Sequence, residues 1–160
     1  MENGKEVMEY LAFTLAGERY CIGVNRVREV VELSRVTRLP NTLEYMKGLI
    51  NLRGAGIPVI DFKLKFKMPE SEPTRDTSII VMEVRSGESV TLVGAVADSV
   101  QEVIALSPDD IDSAPRFGAR VSNDFIDGIG MQADSFLILL DIDKIFSREE
   151  LSEIAGTPAA

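Results

Sequence analysis

One feature of the chain limits its fold more than any other, and it is an echo. Tyr45-Met46-Lys47-Gly48-Leu49 returns as Phe125-Ile126-Asp127-Gly128-Ile129, and Ile57-Pro58-Val59-Ile60-Asp61-Phe62 returns as Leu137-Ile138-Leu139-Leu140-Asp141-Ile142, both at an offset of 80 residues. A third echo pairs Val27-Arg28-Glu29-Val30 and Leu33 with Val100-Gln101-Glu102-Val103 and Leu106 at an offset of 73. Two separated blocks at one constant offset imply two copies of one structural unit. Each copy reads as about five short strands, so a pair of small β-barrels is the expected architecture. In a chain of 160 residues neither half could bury enough surface alone, and the halves should share a core. Phe136-Leu137-Ile138-Leu139-Leu140 is apolar on both faces, as a strand held between two layers should be.

The remaining punctuation fits this plan. Leu11, Phe13 and Leu15 alternate with Ala12 and Thr14, and after the Ala16-Gly17-Glu18 turn the chain returns through Tyr20-Cys21-Ile22-Gly23-Val24. Asn25-Arg26 can cap a helical turn before the amphipathic strand Val27 to Leu33, and Val36 to Leu39 reads as a shorter strand. Asn41, with Glu44 three residues on, predicts a short helix. Met68 to Asp76 carries two prolines and several charges without periodicity, which marks a connector. Ser107-Pro108 opens a helical turn, and Ser147 with Glu150 is a capping box opening a terminal helix that turns Leu151 and Ile154 inward. The expected division is 9–67 for the first barrel, 68–76 for the connector, 77–146 for the second barrel, and 147–160 for the C-terminal helix and tail.

Within the first copy, Gly48 to Phe62 departs from a plain hairpin. Strand alternation puts Leu49, Asn51 and Arg53 on one face and Ile50 and Leu52 on the other, so an amide and a guanidinium are presented opposite a core face. Gly54-Ala55-Gly56 is expected to make the reversal. The second copy has Ala133 where the first has Arg53. Function is therefore expected where the copies differ, at Asn51-Leu52-Arg53-Gly54.

Composition closes several routes. The chain has no histidine, one cysteine and a net charge of −9. Without histidine there is no Ser-His-Asp triad and no histidine base, and zinc chemistry would have to do without its commonest nitrogen ligand. The acidic balance disfavours nucleic acid and anionic membrane surfaces. A single Cys21 cannot form an internal disulfide and reads as structural packing in a reducing compartment. No P-loop occurs, no apolar run is long enough to span a membrane, and no signal-peptide pattern opens the chain. No cofactor and no metal are expected, and a cytoplasmic location is.

The carrying residues Arg19-Tyr20, Val27-Arg28-Glu29-Val30-Val31, Thr37-Arg38-Leu39-Pro40-Asn41, Tyr45-Met46-Lys47-Gly48, Asn51-Leu52-Arg53-Gly54 and Pro58-Val59-Ile60-Asp61 resemble the CheW family of chemotaxis coupling proteins. The resemblance runs to about Phe146. It implies a mainly β fold of two five-stranded SH3-like barrels in a pseudo-twofold arrangement around a shared core, with short helical turns and a C-terminal helix. It implies a non-enzymatic adaptor that joins the cytoplasmic hairpin tip of a chemoreceptor to the regulatory domain of a CheA-type histidine kinase, recruited from the cytoplasm to membrane receptor arrays.

Carried over residue by residue, the receptor groove takes in Val27, Glu29, Val31, Gly48 and Arg53. An amphipathic receptor helix needs an apolar groove with a few polar contacts, and a planar guanidinium suits a carboxylate or backbone carbonyls. The competing readings are an internal tie from Arg53 to Glu29 or a loop carbonyl, a solvated strand face for Glu29, and a backbone requirement for Gly48. The kinase-facing or array surface is carried onto Asp112, Arg116 and Phe117. Relatives commonly have an acidic residue at the Arg116 position and often a basic one at the Asp112 position, so both signs are reversed here and a partner should compensate. Core packing is the alternative for Phe117.

Two other classes compete. An enzyme would need the symmetric carboxylates Asp61 and Asp141, whose positions at strand ends suit capping instead. An adaptor of a gliding or other CheA-like pathway, or a domain equivalent to the regulatory end of a kinase, would keep the fold and change the system.

Overall fold

A computed structural model describes residues 6–112 and 125–155. It contains two curled sheets. One has the strand order β8-β1-β2-β11-β10-β9 and the other β3-β6-β7-β5-β4. The strands are β1 (Met8–Leu15), β2 (Glu18–Gly23), β3 (Val27–Glu32), β4 (Met46–Leu52), β5 (Ala55–Asp61), β6 (Ser78–Ser86), β7 (Ser89–Ala97), β8 (Ser99–Leu106), β9 (Ile111–Asp112), β10 (Ile126–Gln132) and β11 (Ser135–Leu140). Two α-helices, α1 (Phe62–Lys65) and α2 (Arg148–Ala155), and three short 3-10 turns complete the described chain.

The echo in the sequence is an echo in the ladders. Hairpin β4–β5 shifts register between Met46 and Gly48, and β10–β11 shifts between Ile126 and Gly128. Asp61 N–H donates to Tyr45 O at 2.8 Å, and Asp141 N–H donates to Phe125 O at 2.8 Å. β5 pairs in parallel with β7, as β11 does with β2. The mapping sends β3-β6-β7-β5-β4 onto β8-β1-β2-β11-β10. The sixth strand, β9, also has its counterpart, since Asp112 faces Ile129 and Thr37 bridges Leu49.

The sheets are not the two halves of the chain. Hairpin β1–β2 lies with β8 to β11, and hairpin β6–β7 lies with β3 to β5. Each repeat hands its first hairpin to the other repeat's sheet, and the connector at 68–76 joins two parts of one sheet. The expected barrel boundaries at 9–67 and 77–146 therefore do not coincide with the sheets. The exchange has a physical reason in the burial requirement: a three-stranded remainder would expose its core face, and the swapped hairpin covers it. The main apolar cluster accordingly draws Phe13 and Tyr20 from one sheet, Ile80 and Met82 from the other, and Phe62 from α1. Phe13 and Phe62 are fully buried, and truncating either to alanine should cost about 3–5 kcal/mol.

Several local expectations are corrected. No helix forms at Asn41 to Glu44, because Asn41 takes φ 58, a left-handed conformation rather than the extended one of an N-cap. The strand expected at Val36 to Leu39 is reduced to the single bridge at Thr37. The hairpin reverses at Arg53-Gly54, with φ 51 and 88, so Arg53 sits in the turn and Ala55-Gly56 already belongs to β5. The Asn51 amide holds that turn by accepting the Gly54 N–H at 2.7 Å. Phe136 is 55% exposed, so β11 is covered on both faces only from Leu137 onward.

Other expectations hold. Glu150 N–H donates to Ser147 Oγ at 3.0 Å and Ser147 N–H to Glu150 Oε1 at 2.9 Å, which closes the capping box of α2. Leu151 and Ile154 are buried. Cys21 is sealed among Ile104, Leu106, Leu137 and Leu139, where burial pushes its thiol up to about 12. Asp61 accepts from Lys63 N–H at 2.8 Å and Asp141 from Asp143 N–H at 3.1 Å, so both carboxylates are caps.

Candidate functional site

β3 is an edge strand, and its residues alternate between half-buried and exposed. Val27, Glu29 and Val31 are the half-buried set. The register shift between Val27 and Glu29 turns the strand there. Val27 consequently packs against the main cluster and Val31 against Ile50, Ile57, Val59, Ile79 and Val81 inside the five-stranded sheet. The two valines therefore join different apolar clusters.

Glu29 and Arg53 do come together. β3 and β4 stand at opposite ends of the strand order, and curling brings those ends near each other. Arg53, at the tip of the β4–β5 turn, spans the remaining gap. Its Nη2 donates to Glu29 Oε2, and its Nη1 donates to Glu29 Oε1 at 3.3 Å. Hydrogen bonding from Arg53 holds the Glu29 carboxyl below its usual range, with the charges of Arg53 and Arg28 acting in the same direction. The Arg53 side chain is 72% exposed and that of Glu29 26%. This exposed pair is weak as a stabiliser, since water and salt screen it. It spends two of five guanidinium N–H donors.

Gly48 is a backbone requirement. Its φ is +143°, and a Cβ there would stand 2.0 Å from Thr37 O. The close approach lets Leu49 and Thr37 exchange hydrogen bonds of 2.8 Å in each direction. Asp112 lies exposed on β9. Arg116 and Phe117 lie outside the described residues.

The sequence reading missed three polar ties. Arg26 donates to Asp143 at 2.8 and 2.5 Å and to Glu83 O at 2.8 Å, while Arg85 N–H donates to Asp143 at 2.7 Å. Burial raises the Asp143 carboxyl, but these donors pull it below its usual range overall. The Tyr45 hydroxyl donates to Glu150, as does Lys65 Nζ at 2.9 Å. Arg19 donates to Gln101 at 2.9 Å and to Gln132 at 3.2 Å. Only the Glu150 tie left a signal in sequence, through the capping box.

A family model described as "CheW-like domain" matches residues 9–150. The chain belongs to the CheW family. A Klebsiella aerogenes protein named chemotaxis protein CheW is 37% identical over 144 residues, which cover 90% of this chain and 84% of that one. Its namesake in Treponema pallidum is 31% identical over 151 residues, covering 94% and 89%. The solved structure of a scaffolding protein CheW from Thermoanaerobacter tengcongensis superposes with a TM-score of 0.79 at 30% identity, covering 91% of this chain and 96% of that one. This CheW-family chain is a non-enzymatic adaptor of chemotaxis signalling, and its mainly β fold is that of the solved relative. Among the described residues no helix is long and apolar enough to cross a membrane.

Proposed function

We propose that this adaptor binds the cytoplasmic hairpin tip of a chemoreceptor along the β3 edge and, on a second surface, the regulatory domain of a CheA-type kinase. The observation that carries the receptor site is the Glu29–Arg53 pair. It places an exposed fork of donors at the β3 edge, on a turn residue for which the second repeat has Ala133. An amphipathic receptor helix would lay its apolar side over Val27 and offer carboxylate or carbonyl oxygens to Arg53. Gly48 contributes indirectly by letting Thr37 approach β4, and Val31 by supporting the sheet from inside. The kinase or array surface includes Asp112, Arg116 and Phe117. Acting in the cytoplasm, the protein joins membrane-anchored receptors to the kinase by occupying both surfaces at once, so that receptor conformation alters kinase geometry.

Arg53→Glu tests this reading. Binding to a purified receptor tip is lost, while circular dichroism, the melting curve and binding to the kinase regulatory domain stay as in the wild type. Retained receptor binding, or an unfolded variant, overturns the assignment of Arg53.

A further inference from the structure

The repeats carry matching aromatic shelves, and only one shelf is covered by a helix. Tyr45 meets Phe146 with ring centroids 6.0 Å apart, and α2 lies on the pair, its Leu151 and Ile154 in the same buried cluster. The repeat offset converts Tyr45 into Phe125, while Phe66 is the residue that converts into Phe146. Phe66 and Phe125 stack at 4.8 Å. Tyr20 of β2 takes the place that Val93 of β7 has beside α2, as the parallel pairings of Cys21 with Leu139 and Gly94 with Val59 require.

Local sequence explains why only one shelf is covered from within. After Phe146 the chain meets the Ser147–Glu150 capping box and starts a helix. After Phe66 it runs Lys67-Met68-Pro69, with Lys67 at φ 59, and the proline disfavours a helical residue before it. The second shelf is left as a pocket of about 320 Å³ lined by Tyr20, Phe66, Met68, Phe125 and Ile138 together with Lys65 and Lys67. That volume is at the lower end for ligand pockets and suits a few inserted side chains. Of the two lysines in its described lining, Lys65 is held by Glu150 of α2, which leaves exposed Lys67 as the pocket's cation in a chain of net charge −9. Among the described residues Lys67 makes no ion pair.

We propose that this pocket is the docking seat for a short acidic amphipathic helix of a partner protein, the pseudo-twofold equivalent of the seat that α2 fills. The occupant presents two apolar residues one turn apart to Phe66 and Phe125 and a carboxylate to Lys67. α2 shows the chemistry, with Leu151 and Ile154 inward and Glu149, Glu150 and Glu153 around them. This seat is separate from the β3 edge, so its failure leaves the receptor reading intact.

The test uses the isotope-labelled full chain and a stapled helical peptide of residues 147–155. Saturable amide shifts are expected at Tyr20, Phe66, Phe125 and Ile138. Lys67→Glu weakens the peptide at least tenfold with unchanged melting and unchanged receptor-tip binding, and Met68→Glu weakens it at least as much with unchanged receptor-tip binding. A peptide carrying Leu151→Asp and Ile154→Asp does not bind. The proposal is overturned by the absence of shifts at the pocket, by shifts confined to Tyr45 and Phe146 through displacement of α2, or by equal binding to the variants.

Discussion

The two sheets close their open ends with different chemistry. In the five-stranded sheet a turn residue, Arg53, reaches from β4–β5 to Glu29 on β3, and it does so in water, with 72% of its side chain exposed. In the six-stranded sheet the counterpart of Glu29 is Glu102 and the counterpart of Arg53 is Ala133. Closure there falls to Arg19 of β2, whose side chain is only 20% exposed and which spans Gln101 on β8 and Gln132 on β10, with Glu102 at 3.7 Å. Arg19 is shielded and spends its donors internally. Arg53 stands where a partner can reach it. One repeat thus supplies both arginines, a shielded one that closes the six-stranded sheet and an exposed one that closes the five-stranded sheet.

The largest effect expected from disturbing this comparison is at the glycine of each repeat. Gly48→Ala puts a Cβ 2.0 Å from backbone at positive φ and should cost more than about 3 kcal/mol in denaturant unfolding. Gly128 lacks the positive φ and its added Cβ meets Asp112 O at 2.9 Å, so Gly128→Ala should cost about 1–2 kcal/mol. Equal costs would show that the two third-strand contacts are equivalent.

The next effect concerns α2, which only one repeat has. Burial raises the Glu150 carboxyl, but the Ser147 N–H, the Tyr45 hydroxyl and Lys65 lower it further, from an ordinary 4.5 to about 2. A carboxyl depressed in the folded state stabilises above its unfolded value and loses that contribution as pH falls toward the folded one. Glu150→Gln should therefore cost about 2 kcal/mol at pH 7, and its deficit against the wild type should shrink between pH 4.5 and 2. A deficit independent of pH over that range would contradict the network. Removing the hydroxyl alone, Tyr45→Phe, makes the shelf resemble its twin and should cost about 1 kcal/mol by thermal melting.

Arg19→Ala is the smallest stability change expected, about 0.5 kcal/mol, with receptor-tip binding unaltered. A loss of binding in that variant would remove the distinction between the two arginines.

What the sequence shows depends on how local each feature is. The repeat, the alternation of the longer strands and the capping boxes at Ser147–Glu150 and Ser107–Asp110 are local and appear in the fold as expected, whereas the Asn41–Glu44 signal yields no helix. The exchange of hairpins between the repeats left no trace, because strand patterns report burial and not which sheet provides it. Arg53 was legible as a residue one repeat has and the other lacks, yet its place in the turn was hidden by an unusual conformation, φ 51 at a non-glycine residue. The separation of Val27 from Val31 depends on a register shift opposite Met82 and Val81, which no pattern within β3 predicts. Arg26–Asp143 and Arg19–Gln132 join residues more than 100 positions apart, beyond the reach of any motif.

The central claim is that the Glu29–Arg53 pair serves a partner and not only sheet closure. The most direct measurement is receptor-tip affinity in the double variant Glu29→Arg/Arg53→Glu, beside its melting curve and kinase-domain affinity. The swap restores the intramolecular ion pair while reversing the charge presented outward. The account predicts wild-type melting and kinase binding with receptor affinity reduced at least tenfold, about 1.4 kcal/mol. Wild-type receptor affinity in the swapped protein would show that the pair is a structural tie and would contradict the account.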